Sequence, residues 1–442
     1  MKDCTAWGGA IGRRELLRAG ALTGFGLAIA QHRAFAQPPA IPAARGDIMP
    51  NVRALVERSV GPGRFPGIVA SLGVPGREAQ FVAMGRDGFT DLDEMTPDSL
   101  FRIYSMTKPV TGMATMMLID EGKLGLDQPL SDILPKYAKM QVQVTPDGSI
   151  TELRPAARPI TIRHLLTHTS GMAYTVVQKG PIKTLMEDKG LIPGRITRMN
   201  VPNLLRGQPV RGLDKFADGM AEVPLVYDPG TKWSYSPGLD ILGRVIEVVS
   251  GKTFDGFLRE RLFDPLGMTS TFFRVPENEK GRLVSNFAVV AEALVPIDEG
   301  ENSIFLEAPA SPFGGSGLVC SPRDYDRFLR MLANYGTLHG TRVMSERAVR
   351  IGTSNLLPAG VDKSAMQGAG GEFGAGGRVG MGGEAGIYGW GGAAGTLGMV
   401  DMRNGLTSSL FVQFMPPDAL PLLSEFQTAL KADVTALPER RR

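Results

Sequence analysis

The stretch FRIYSMTKPVTGM, Phe101 to Met113, sets Ser105 three residues ahead of Lys108. If a helix begins near Ser105, residues three apart share a face, and the lysine reaches the serine hydroxyl. A helix N-terminus favours a developing alkoxide, and burial makes a lysine a better base. Pro109 fits the first helical turn, where its missing N–H breaks no internal bond. The same residues are also what an ordinary helix start would show, with Ser105 as N-cap and Lys108 solvated. A Ser-x-x-Lys arises by accident about once or twice in a chain this long, so the pair needs company.

Two other stretches offer it. In DPGTKWSYSPGLDILGRVIEVVSGK, Asp228 to Lys252, Tyr235 stands in a turn before a helix. A phenol has a pKa of about 10 and is a poor base near neutrality unless cations stabilise its phenolate. Beside Lys108, Tyr235 can take the serine proton and return it to a leaving group. A packed aromatic ahead of a helix would leave the same trace. In YGWGGAAGTLGMV, Tyr388 to Val400, a glycine-flanked strand can bring its backbone against a substrate. An oxyanion hole needs two backbone N–H groups, and Ser105 and Ala393 are the candidates. A glycine-rich strand that merely tolerates a neighbouring helix is the plainer account. No serine has glycine at both −2 and +2, so the Gly-x-Ser-x-Gly elbow of another hydrolase class is missing.

The chain has 442 residues, 43% of them hydrophobic and 21% charged, an ordinary globular balance. Its N-terminus reads as a targeting segment. Arg13 and Arg14 precede a Gly/Ala/Leu-rich run, and Ala34-Phe35-Ala36 offers a small-x-small cleavage site. Arg-Arg-Glu-Leu-Leu-Arg looks like a twin-arginine export signal, with Gly12 where a Ser or Thr is usual. An amphipathic helix is the alternative. Residues 1–36 carry five basic and two acidic side chains, a net of +3 that equals the net charge of the whole chain. The remainder is near neutral, which argues against nucleic-acid or anionic-membrane binding. No mature apolar run is long enough to span a bilayer. Beyond the signal Cys320 stands alone, so no intramolecular disulfide is expected. HLLTH (His164 to His168) lacks the glutamate of the zinc-protease motif, and no metal or cofactor is expected.

Periodicity places a helix at IMPNVRALVERSV and a hairpin at GIVASLGV and AQFVAMG. A helix from Val110 is expected to end near Gly122. The middle mixes short helices with many Pro and Gly. Gly368 to Gly398 reads as loop and edge strand. GTLGMVDMRNGLTSSLFVQFM reads as a hairpin turning at Asn404-Gly405, and LPLLSEFQTALKADVTAL as a closing helix. The fold class expected is α/β (α+β). An antiparallel sheet is built from about 45–110 and 310–442, flanked by helices, with a mainly helical insertion at about 111–309.

Ser-x-x-Lys, the tyrosine segment and the Gly-rich strand occur in the order that resembles the serine β-lactamase and penicillin-binding-protein superfamily. More closely, the chain resembles class C β-lactamase-related hydrolases, including family VIII carboxylesterases. ITIRHLLTHTSGM, LFDPLGMTSTFF and GGSGLVCSPRDYDRFLRML match further landmarks, so the likeness runs over nearly all of 37–442. The resemblance implies Ser105 as acylated nucleophile and Lys108 with Tyr235 as general-base pair. It places Trp390-Gly391-Gly392 at the substrate-binding Lys-Thr-Gly strand and gives Ala393 the second oxyanion N–H. Two departures matter. Tyr-x-Asn is here Tyr235-Ser236-Pro237, and proline supplies no side-chain amide. The strand motif lacks its Lys and Thr, and Trp390 offers an apolar face and one N–H donor. Both point from β-lactams toward small neutral esters, with a small-molecule ester as the expected partner. A β-lactamase or D-Ala-D-Ala peptidase is the first rival, a non-catalytic binding module the second. An exported, periplasmic or secreted protein is expected. Oligomeric state is left open.

Overall fold

The computed structural model describes residues 46–90, 93–199, 207–366 and 371–437. The expected export signal at 1–36 lies outside them. Seven antiparallel strands form the main sheet: β1 (Gly67–Gly73), β2 (Gln80–Gly85), β3 (Glu372–Phe373), β4 (Arg378–Val379), β5 (Ile387–Gly391), β6 (Leu397–Asp401) and β7 (Leu406–Phe411). Their order is β3-β4-β5-β6-β7-β1-β2, so the N-terminal hairpin joins the C-terminal strands through the β1–β7 pair. Helices α1 (Pro50–Ser59), α2 (Thr107–Asp120), α4 (Pro322–Ala333) and α5 (Leu422–Thr435) pack about the sheet, and α3 (Gly238–Ser250) packs against α2.

Every residue of β1 is buried, and its period-two alternation feeds two cores. Ile68, Ala70 and Leu72 pack with Val52, Leu55 and Val56 of α1 and with Leu422 and Phe426 of α5. Val69 turns to the opposite core, where Phe411 of β7 meets Tyr325 and Phe328 of α4. A strand covered on both faces reads as a continuous apolar run, which is what GIVASLGV shows. Helix α1 has Met49 at its N-cap and no cap of its own. Its free amides are served by Asp433 of α5, which accepts from Asn51 N and Val52 N, both at 2.9 Å.

Helix α2 is buried from Thr107 through Leu118, the pattern of a helix enclosed on all sides rather than amphipathic. It ends at Asp120, with Gly122 left-handed just beyond, close to the expected stop. Gly112 is required there, because a Cβ would come within 2.0 Å of the Ala375 carbonyl.

Two expectations need correction. The Asn404-Gly405 pair is not a two-residue turn. Asp401 pairs with Leu406 across a four-residue loop. The Asp401 carboxylate accepts from Arg403 N at 2.9 Å and from Asn404 N at 3.1 Å, and this acceptor lengthens the turn. The glycine-dense segment is also more than loop and edge: it supplies β3 at the edge, but β5 is an interior strand between β4 and β6. Gly389 permits this, since a Cβ would sit 2.1 Å from the Gly398 carbonyl on β6.

Candidate active site

Short strand Phe101–Arg102 delivers the chain into a 3-10 turn, Tyr104–Met106, and α2 begins at Thr107. Tyr104 has φ +40°, an uncommon conformation for a bulky residue, immediately before Ser105. The turn is held from behind by Arg102, which is fully buried and donates to Asp298 Oδ2 at 2.8 Å through Nε and 2.5 Å through a terminal nitrogen. The same guanidinium reaches Ser303 Oγ at 2.9 Å and the Val284 carbonyl.

Ser105, Lys108 and Tyr235 come together. Tyr235 Oη donates to Ser105 Oγ at 2.7 Å, and Lys108 Nζ donates to the same oxygen at 3.2 Å. Lys108 is 1% exposed, while Ser105 and Tyr235 are partly open to solvent. Lys108 Nζ also donates to the Gly315 carbonyl at 2.6 Å and lies 4.5 Å from the centre of the Tyr235 ring. The ammonium therefore faces the serine oxygen, the phenol and a backbone dipole at once.

Backbone on both sides fixes Tyr235. Trp233 N donates to Asp362 O at 2.8 Å, and Ser234 N to His168 O at 2.9 Å. Pro237 then takes the N-cap of α3, whose rigid start anchors the tyrosine loop. The Tyr235 ring stacks on Trp390 of β5, with centroids 6.1 Å apart and planes 27° apart. Trp390 is 3% exposed and packs with Trp233 and Phe373, so its indole backs the tyrosine.

Beyond Trp390, the strand end runs against the nucleophile turn. A Cβ on Gly392 would lie 2.5 Å from the Ile103 carbonyl, so only glycine permits this approach. Gly392 N donates to Thr396 O at 2.7 Å, whereas the Ala393 amide donates to no backbone carbonyl among the described residues. Ala393 directly follows Gly392, the residue whose backbone approaches the Ile103 carbonyl just ahead of the Ser105 turn.

The histidines of HLLTH part company. His164 closes a capping box with Thr161, and burial lowers its pKa to about 4. His168 is fully buried beneath Tyr235, ring centres 4.6 Å apart, with φ +56°. Its Nδ1 accepts the Ser236 amide at 3.2 Å. Burial first, and then the Lys108 charge, hold its pKa well below the usual imidazole value, so it stays neutral. Among the described residues no three His, Cys, Asp or Glu side chains converge as a metal site requires.

Three features escape a reading of motifs. His168 orients the tyrosine loop, Asp240 sits fully buried near Lys108, and Tyr174 packs 5.7 Å from the Tyr235 ring. Asp240 lies inside the quoted tyrosine segment, and an acid in a helix that buries its other faces is the signal that was available.

The chain is 35% identical over 267 residues to Protein Rv1367c of Mycobacterium tuberculosis, covering 60% of this chain and 62% of that protein. It is 30% identical over 310 residues to Esterase EstB of Burkholderia gladioli, covering 64% and 71%. It is 35% identical over 250 residues to Lovastatin esterase of Penicillium rubens, covering 54% and 57%. The match to Protein Rv1367c thus spans about three-fifths of that relative's length. Among solved structures, EstCE1, a hydrolase with promiscuous acyltransferase activity, superposes with a TM-score of 0.70 at 24% identity, covering 87% of this chain and 98% of that one. A family VIII carboxylesterase gives 0.64 at 18%, covering 87% and 97%. At these identities the structural likeness speaks for the fold. The family model for Beta-lactamase matches residues 52–430, which takes in Ser105, Lys108, Tyr235 and the Trp390 strand, and the chain belongs to the beta-lactamase family.

Proposed function

We propose that the protein is a serine hydrolase that cleaves small, fairly apolar carboxylic esters through an acyl-enzyme on Ser105. The observation that carries the reading is the double hydrogen bond onto Ser105 Oγ, from Tyr235 Oη at 2.7 Å and Lys108 Nζ at 3.2 Å. In the reactive form the pair has lost one proton, leaving Tyr235 as a phenolate beside the Lys108 ammonium; Ser105 Oγ then attacks the ester carbonyl carbon as its proton passes to the Tyr235 oxygen. The carbonyl oxygen becomes an oxyanion between the Ser105 and Ala393 amides. As the C–O bond breaks, Tyr235 returns the proton to the departing alcohol. Water then attacks the acyl-enzyme, assisted by Tyr235, and frees the acid and Ser105.

Ester rather than β-lactam chemistry is supported by what flanks the serine. Trp390-Gly391-Gly392 brings no cation or hydroxyl for a substrate carboxylate, and Pro237 brings no amide. Relatives named as esterases agree with this. Turnover of a short-chain p-nitrophenyl ester, set beside nitrocefin, tests the choice. Nitrocefin turnover equal to ester turnover would favour the β-lactamase reading. Failure of a fluorophosphonate to label Ser105 in folded protein would favour a binding module.

Relatives named as acyltransferases favour a second reading, in which an alcohol replaces water as acyl acceptor. Added alcohol would then raise p-nitrophenol release and divert product from acid to ester. We further propose export through the twin-arginine segment. A mature N-terminus at Gln37 in the periplasmic fraction is the expected result.

A further inference from the structure

Asp240 occupies the first turn of α3, five residues beyond Tyr235. An acid there ordinarily complements the helix dipole from solvent. This one is 1% exposed, so that account does not hold. Its Oδ1 accepts the Gly315 amide at 2.7 Å, while the carbonyl of Gly315 accepts Lys108 Nζ at 2.6 Å. One residue thus bridges the carboxylate and the ammonium with both of its backbone polar groups. Glycine is what allows it: a Cβ at 315 would stand 2.8 Å from Asp240 Oδ2. That Oδ2 is buried and has no hydrogen-bond partner among the described residues.

A buried carboxylate with an idle oxygen needs a compensating charge. Burial pushes the Asp240 carboxyl up to about 6, and the Lys108 charge is the largest influence pulling it back. The other titratable groups at this cluster come from separate elements. Tyr235 faces Lys108 from the loop before α3. His168 lies beneath Tyr235 and is held neutral. The Tyr174 phenol is pushed up by burial, by Asp240 and by Tyr235.

We propose that Asp240 is a positioning residue for the proton-handling pair: with the Gly315 peptide between them, it supplies the buried counter-charge that keeps the Lys108 ammonium set between Ser105 and Tyr235. The proposal rests on the hydrolase reading of Ser105. Asp240 touches no reacting atom. It acts by making the cluster hold its shared proton more firmly.

Asp240→Asn keeps the shape and an acceptor for Gly315 N but removes one negative charge. The cluster then releases a proton more easily. The acid limb of kcat/KM for a p-nitrophenyl ester is expected to move to lower pH by about 0.5–1 unit. A purely structural role would lower the profile at every pH and leave its midpoint in place. The reciprocal measurement needs no turnover. In protein labelled with 13C at the aspartate carboxyls, Lys108→Met should raise the titration midpoint of one carboxyl by about one unit or more. That resonance should be missing from Lys108→Met/Asp240→Asn. An unmoved acid limb in a folded Asp240→Asn, or no shifted carboxyl in Lys108→Met, overturns the proposal. If Asp240→Asn does not fold, the carboxyl titration alone decides. If wild type turns over no ester, the hydrolase reading fails while the titration still reports on Asp240.

Discussion

Removing the Tyr235 hydroxyl takes from Ser105 the shorter of its two hydrogen bonds and leaves the ring stacked on Trp390. Tyr235→Phe is therefore expected to fold normally and to lose about 10²–10⁴-fold in kcat on p-nitrophenyl esters. Ser105→Ala is expected to lose about a thousandfold or more, with substrate binding kept. Full turnover in Ser105→Ala would remove the nucleophile assignment. The meeting of Ser105, Lys108 and Tyr235 was legible in sequence because each belongs to a short motif. The positions of Asp240 and Gly315 relative to Lys108 were not. Their contact joins residues 75 apart through a backbone hydrogen bond, which leaves no local pattern. His168 was hidden for another reason: its motif was read for metal ligation, whereas its Nδ1 serves the Ser236 amide. Trp390 was legible as an aromatic at the strand motif, but its burial behind Tyr235 depends on where Phe373 and Trp233 pack.

The elements that carry the site are held by buried polar contacts whose loss should be measurable. The Arg102–Asp298 pair is almost wholly buried and fixes the strand that leads into the Ser105 turn. Asp298→Ala leaves a buried guanidinium without its carboxylate and is expected to cost about 3–5 kcal/mol in denaturant unfolding. Gly392→Ala drives a Cβ against the Ile103 carbonyl. It is expected to lower kcat on p-nitrophenyl esters, since the displaced backbone adjoins the amide proposed as an oxyanion donor. On α4, Asp326 accepts from Thr407 Oγ1 of β7 at 2.9 Å, and burial pushes its carboxyl up to about 6. The raised value means that the folded protein binds this proton more tightly than the unfolded chain. Its contribution to stability is full below about pH 4 and lost as pH rises through about 6. Asp326→Asn should remove that loss, and thermal melts at pH 5 and pH 8 check it. An equal change in melting temperature at both values would contradict the assignment. At this scale the helices and the N-terminal hairpin were readable from periodicity. The Asn404 turn was not, because the Asp401 side chain competes for its amides.

At the scale of the molecule, helices α1 and α5 close one face of the sheet, and Asp433 joins them by capping α1. Asp433→Ala leaves two amides at the start of α1 unserved and is expected to cost about 1–3 kcal/mol, read as a lower denaturation midpoint. Turnover per folded molecule should stay as it was, since α1 lies in the core away from the Ser105 cluster. The union of both chain ends in one antiparallel sheet was visible in the order of strands and helices. The register was not, because it depends on which face of β1 meets which core. That β1–β7 pairing joins Ser71 to Ser409, with their hydroxyls 2.6 Å apart. During synthesis, residues 67–73 must therefore wait for residues 406–411 to leave the ribosome before the sheet can close. Pairing over such a distance is slow, and until it happens β1 has α1 to cover one face, while β7 and α5 are still missing. The nascent chain thus passes through a long interval in which it depends on protection from aggregation, and the last sixth of the sequence ends that interval.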